Sequence, residues 1–226
     1  MPQSNSPLLA MQFFDKDQTV HVAERKLPHW AQPGVMCFIT WRTWDSLPTA
    51  VVDGWLKERT MWLLHHGVDP ISSDWKLALQ RLSVTDQHEF HSTFTNRWED
   101  LLDHCHGDCV LKQPVLARIV AESLHFFDED RYFLTDYVVM PNHVHLLASF
   151  GDERMMLKQC ESWKHFTAVN INKALNRQGR FWQKDSFDHL VRNQEQFEYF
   201  RRYIAANPAR AKLGECEFIH YSRELK

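Results

Sequence analysis

From Arg131 to Phe150 the chain reads RYFLTDYVVMPNHVHLLASF, two apolar runs on either side of Met140-Pro141-Asn142. Both runs are rich in β-branched and aromatic residues, which favours strands. The short Pro-Asn link between them predicts an antiparallel hairpin. Upstream, GVMCFITWRTW (Gly34 to Trp44) has the same character and predicts a first strand near Val35–Trp41. The period changes over Gln113–Asp130, where Val115, Ile119, Leu124 and Phe126 are among the apolar positions of an amphipathic helix. A long helix is expected over DERMMLKQCESWKHFTAVNINKALN, with Gly179 as its breaker, and a short fourth strand over Phe187–Asn193. A last helix, Asn193–Asn207, is expected to stop at Pro208, which lacks an N–H for the ladder.

Between the first strand and the first of these helices lies a segment of roughly 46–109 with helical pieces of its own: LPTAVVDGWLKERTMWLLHH, SSDWKLALQRL and TDQHEFHSTFTNRWEDLLDHC. Ser73 and Thr85 precede acidic residues and read as helix N-caps. With that insertion set aside, the order is β-α-β-β-α-β. This order predicts an α+β, ferredoxin-like, four-stranded antiparallel sheet with helices on one face. The expected organisation is an N-terminal arm (1–33), a domain over 34–212 interrupted by the helical insertion, and a tail (213–226).

Composition narrows the function classes. The chain has 226 residues, 44% hydrophobic and 24% charged, an ordinary globular balance. No apolar run approaches the roughly 18 residues of a membrane span. The N-terminus shows no basic-then-apolar leader, and a cytoplasmic protein is expected. Cys37, Cys105, Cys109, Cys160 and Cys216 are odd in number and scattered, as reduced thiols are. The stretch HCHGDC lacks a second ligand pair at zinc spacing and reads as a polar helix end or loop. Net charge is only −3, but its distribution is uneven. Residues 1–153 hold 12 basic and 21 acidic side chains, whereas residues 154–226 hold 14 and 8. A basic C-terminal third suits a face that meets phosphate, and equally a solvated helical surface.

Candidate chemistry lies in the third strand. Side chains alternate faces, so His143, His145 and Leu147 share one face and Val144, Leu146 and Ala148 the other. Two imidazoles side by side hold one divalent metal from two corners. Two buried, hydrogen-bonded histidines without a ligand are the simpler alternative. In the last helix, Tyr203 and Asn207 are one turn apart on a common face, and Arg201, Arg202, Arg210 and Lys212 surround them. A tyrosine hydroxyl becomes a useful nucleophile beside a metal-polarised phosphate, and Asn207 offers a third, oxygen ligand. A hydrolase with a metal-activated water is the other enzymatic alternative, but it wants a carboxylate. Asp136 is the nearest in sequence, and in an unbroken strand its parity sets it opposite His143.

Three segments resemble the REP-associated tyrosine transposases, relatives of the single-tyrosine HUH transposases of small insertion sequences: VVMPNHVHLL, GRFWQKDSFDHLVRN and YIAANPARAKL. His143-Val144-His145 is similar to the family's His-apolar-His signature. Tyr203, Ile204, Asn207, Pro208, Arg210 and Ala211 follow its Y-I-x-x-N-P-x-R-A pattern. The resemblance spans about 34–41 and 113–212. It implies Mg²⁺ or Mn²⁺ on His143, His145 and Asn207, with Tyr203 as nucleophile. It implies a single-stranded DNA substrate with a REP-like hairpin, cut through a 5′-phosphotyrosine and rejoined by a monomer or homodimer. A catalytically silent or regulatory hairpin-binding protein is the alternative within the same resemblance. Trp182, Gln183, His189 and Arg192 belong to the second segment, with Asp188 beside them. Trp182 is a candidate to stack on a base and Arg192 to meet phosphate, with Gln183, His189, Arg201, Arg202 and Arg210 completing the expected DNA-binding set. Two departures stand out: the long 46–109 insertion, with Trp55, Trp62, Trp75 and Trp98, and Lys212 where glycine is more usual.

Overall fold

The computed structural model describes residues 12–15, 21–23, 29–72, 74–97, 106–184 and 186–225. Most of the N-terminal arm, the Ser73 cap, Trp98, His104 and Cys105 lie outside the described residues. The chain divides into two units, one made of Met1–Trp44 with Cys109–Lys226, the other of Asp45–Asp108.

In the first unit, β1 (His21–Ala23) and β2 (His29–Ala31) form a two-stranded pair. The main sheet contains β3 (Met36–Arg42), β4 (Tyr132–Val139), β5 (His143–Phe150), β6 (Phe187–Leu190) and β7 (Ile219–Ser222). Its order is β6-β3-β5-β4-β7, and every pairing is antiparallel. The first four of these strands have the ferredoxin-like arrangement expected from the sequence. The fifth, β7, comes from the tail and pairs with the otherwise open edge of β4, which satisfies backbone groups an exposed edge leaves unpaired.

The helices are α4 (Pro114–His125), α5 (Glu153–Ala174) and α6 (Gln194–Arg210). Side chains of Asp152 and Asn193 cap α5 and α6 by accepting from Met155 N and Gln196 N. Proline at the first position of α4 suits a site where its missing N–H is not needed. The helices α4 and α5 cover one face of the sheet, as expected, but α6 covers the other. The cause is the central place of β5, which is buried along its whole length and so needs cover on both sides. On one side Ile39, Trp41, Val144, Leu146 and Ala148 meet Leu116, Val120, Leu124 and Trp163. On the other, Phe38, Val138 and Leu147 meet Phe197, Phe200, Tyr203 and Ile204 of α6. A core leucine or phenylalanine buried this way contributes about 1.5–3 kcal/mol.

Strand β4 carries a bulge between Leu134 and Asp136. Before it, Leu134 pairs with Ala148; after it, Asp136 pairs with Leu147. The unbroken pairing from the turn, Val138 with His145 and Asp136 with Leu147, puts Asp136 on the α6 side, the face shared by His143 and His145, and the extra residue Thr135 turns Leu134 to the other face. The hairpin turn thus reverses the parity that an unbroken strand gives.

Pro208 does not stop α6, which continues to Arg210. Within the last turn a proline removes a single ladder bond. The helix ends instead in a Schellman motif, where Lys212 has φ 55° and the N–H groups of Lys212 and Leu213 bond the carbonyls of Ala209 and Pro208.

The second unit contains α1 (Thr49–His65), α2 (Trp75–Gln80) and α3 (Val84–Phe90), the last running into a π-helical turn, His91–Asn96. Its own core is Leu63, Val68, Trp75, Leu79, Phe90 and Phe94, with Trp55 and Trp62 packed against it. The Arg59 guanidinium lies over both the Trp55 and Trp75 rings, 5.0 and 5.3 Å from their centroids. Ser83, not Thr85, caps α3 by accepting from Asp86 N.

Candidate active site

The alternation of β5 sends His143 and His145 toward α6 as a pair, with ring centroids 4.6 Å apart. Across the β3 ladder, Thr40 faces His145 and Arg42 faces His143. The Thr40 hydroxyl lies 2.7 Å from His145 Nδ1, and Asn142 Oδ1 lies 2.8 Å from His143 Nδ1. Phe38 stacks on His145 from one side and on Phe200 from the other, at 5.3 and 4.3 Å.

Helix α6 brings Tyr203 and Asn207 to the same place. The Tyr203 ring is 5.3 Å from His145 and edge-on to Phe38. His143, His145, Tyr203 and Asn207 are between 0 and 6% exposed. Arg210 places its guanidinium 5.3 Å from the centre of the Tyr203 ring.

Burial sets the electrostatics. It lowers the His143 pKa to about 3, with the Asn207 side chain acting in the opposite direction. Burial also holds His145 well below the ordinary histidine value, aided by the charges of His143 and Arg210. Both rings are therefore neutral at physiological pH, the form that binds metals. Their Nε2 atoms are buried and make no hydrogen bond. Two buried imidazole nitrogens without a partner, with an amide side chain beside them, fit the donor set of one divalent ion.

The other residues expected at the site are placed less uniformly. Arg202 and Arg192 are exposed, and half-buried His189 on β6 packs its ring against Phe200. Gln183 donates to the Trp44 carbonyl. Trp182 is a correction to the expected base-stacking role: its ring is buried against Trp41 and Phe181, and its Nε1 donates to Thr167 Oγ1. Arg201 is a second correction. It turns into the sheet, where its Nε donates to both Asp136 oxygens at 3.1 Å and its Nη2 to Ser222 and the Arg223 carbonyl. Asp136 also accepts from the Ser222 hydroxyl. Among the described residues, Asp136, the carboxylate nearest to His143 in sequence, is thus committed to an ion pair, which argues against it as the base of a metal hydrolase.

Thr40 and Asn142 were not singled out by sequence. The Asn142 signal was adjacency to His143; Thr40 lies 105 positions from its partner and had no local signal. Among the described residues, one His/Asp/Glu group with converging ligand atoms lies elsewhere, in the second unit: His66, Asp86 and Glu89, within 4.8 Å of one another. Hydrogen bonds to Trp62, Ser83 and again Trp62 already engage these three side chains.

Residues 109–207 match the family model described as "Transposase IS200 like". A solved structure described as "Structure of the REP associates tyrosine transposase bound to a REP hairpin" aligns at 12% identity and a TM-score of 0.43. The alignment covers 82% of this chain and 73% of that one. No curated protein matches the chain. The matched segment, 109–207, is similar to the IS200-like transposases and holds both histidines, Tyr203 and Asn207.

Proposed function

We propose that the protein cuts and rejoins single-stranded DNA through Tyr203. The observation that carries this reading is the Tyr203 ring 5.3 Å from an imidazole whose Nε2 is buried without a partner. His143, His145 and Asn207 would hold Mg²⁺ or Mn²⁺, which when bound polarises the scissile phosphate as a Lewis acid. The chain's own residues do the rest. The rigid β5 and α6 hold the phenol against the histidine pair. The guanidinium of Arg210 lies over the Tyr203 ring, where a cation–π contact helps to fix the ring. The Tyr203 oxygen bonds to phosphorus as the P–O3′ bond breaks, its proton passes to solvent, and the departing 3′-oxygen takes one up. The product is a 5′-phosphotyrosine and a free 3′-OH. Attack by another 3′-OH reverses the step and joins a new strand without ATP. The exposed Arg202, Arg192 and Arg210 supply phosphate contacts. A hairpin of REP type as substrate rests on the sequence motifs.

The test is a denaturing gel of the purified protein with 5′- and 3′-labelled hairpin oligonucleotides and Mg²⁺ or Mn²⁺. A covalent adduct on the DNA 3′ of the cut is expected, lost with EDTA and in Tyr203→Phe. Binding without an adduct across several hairpins and both metals would turn the reading to a hairpin-binding module.

A further inference from the structure

We propose that Thr40 and Asn142 are positioning residues that set the tautomer of the paired histidines, each taking the Nδ1 proton and leaving Nε2 bare. This rests on the metal-centre reading above. The His143 case follows from donor inventory. Asn142 Oδ1 carries no hydrogen, so at 2.8 Å the ring Nδ1 donates to it. A neutral imidazole has one N–H, so His143 Nε2 is a bare lone pair.

His145 faces a hydroxyl, which both donates and accepts. If Thr40 donated, the proton of His145 would sit on Nε2. That N–H would then be a buried donor with no acceptor, which is costlier than a bare ring nitrogen that a cation can take up. If Thr40 accepts, both rings present the same kind of atom, a bare nitrogen, in one small buried space. That is the arrangement a shared divalent ion needs.

The two orienting groups come from independent elements. Thr40 stands on β3 directly across the ladder from His145, and Asn142 belongs to the turn that opens β5. Phe38 stacks on the His145 ring and keeps it in the plane that Thr40 reaches. Ring plane, ring rotation and proton position of His145 are thus all set by the neighbouring strand.

The experiment uses the full chain with ¹⁵N-labelled histidine, first metal-free and then titrated with Mn²⁺. Long-range ¹H–¹⁵N spectra assign which ring nitrogen carries the proton, and electron paramagnetic resonance measures bound Mn²⁺. Wild type is expected to show His145 with a bare Nε2. Thr40→Val, which keeps the shape and removes the hydroxyl, is expected to move the proton toward Nε2 and to weaken Mn²⁺ binding by about 10- to 100-fold. Thr40→Ser, which restores the hydroxyl, is expected to return both readouts to wild type. A Thr40→Val protein that folds and binds Mn²⁺ as wild type does, or a wild-type His145 already protonated on Nε2, overturns the role of Thr40. A wild type that takes up no Mn²⁺ at all overturns the metal centre itself, and this role with it.

Discussion

The two faces of one strand make different demands. Toward α4 and α5, β5 presents Val144, Leu146 and Ala148 to a dry core closed by Trp41 and Trp163, whose rings stack at 5.7 Å. Toward α6, one position out of phase, the same strand presents His143 and His145 to Thr40, Tyr203 and Asn207. The first face is apolar and satisfied by contact alone. The second is as buried but mixed: beside Leu147 it sets two histidines whose Nε2 atoms make no hydrogen bond. Apolar burial stabilises both sides of the sheet, but along β5 the cost of buried polar groups falls on the α6 side.

The largest test of that division lies on the dry face. Trp163→Ala is expected to destabilise the protein by about 3–5 kcal/mol, by loss of a buried aromatic and the cavity left behind. Urea unfolding followed by circular dichroism checks it. Any preparation kept folded by low temperature should retain the adduct-forming reaction, since Trp163 touches none of the site. An adduct lost while the fold persists would show that the faces are not independent.

Next comes the double change Thr40→Val with His145→Leu, which removes a polar pair together. Because both partners of the hydrogen bond go, neither is left unsatisfied, and stability at neutral pH is expected to stay within about 1 kcal/mol of wild type. The adduct should vanish. The same variant tests the pH dependence. His143 and His145 have folded-state pKa values lowered by burial, His143 to about 3. The unfolded chain therefore takes up protons first, near the ordinary histidine value of about 6.5. Their contribution is intact above that pH and is lost as pH falls toward about 3, at up to ~1.4 kcal/mol per pH unit for each proton. The double variant should show a shallower fall in melting temperature between about pH 6.5 and pH 4. An unchanged slope would mean that His145 is not held neutral by the fold.

The smallest effect is expected where neither face is involved. Lys212 holds a left-handed conformation at the end of α6. Lys212→Gly removes the steric cost of that conformation and is expected to add roughly 0.5–1 kcal/mol, with adduct yield unchanged.

Much of this was legible in the sequence wherever the information was local. A period of two over eight residues predicted the bounds of β5 and put both histidines on one face, and the i, i+4 spacing put Tyr203 and Asn207 together. What escaped was non-local. That Thr40 faces His145 depends on the register of strands far apart in the chain. That Trp182 is buried depends on α5 supplying Thr167 as its partner. Arg201 looked like one more cation of a basic helix; only the meeting of α6, β4 and β7 supplies the Asp136 and Ser222 that occupy it. The position of α6 on the second face was also hidden, because an amphipathic stripe reveals that a helix packs but not on which side of a sheet.

The bulge at Thr135 has a further consequence. A strand of alternating faces behaves like a string of parity bits, and an inserted residue inverts every bit on one side of it. In β4 the inversion is spent between Leu134 and Asp136. Tyr132 and Leu134 before it, and Tyr137 and Val139 after it, all read as the dry core; Asp136 and Val138 read as the other side. Were the strand regular through Thr135, Asp136 would fall in phase with Leu134 and put a carboxylate into the dry core. With the bulge, the same letter meets Arg201 and ties the helix of Tyr203 to the sheet. One residue outside the regular register corrects the phase of the message, so that a single strand addresses two chemically different environments.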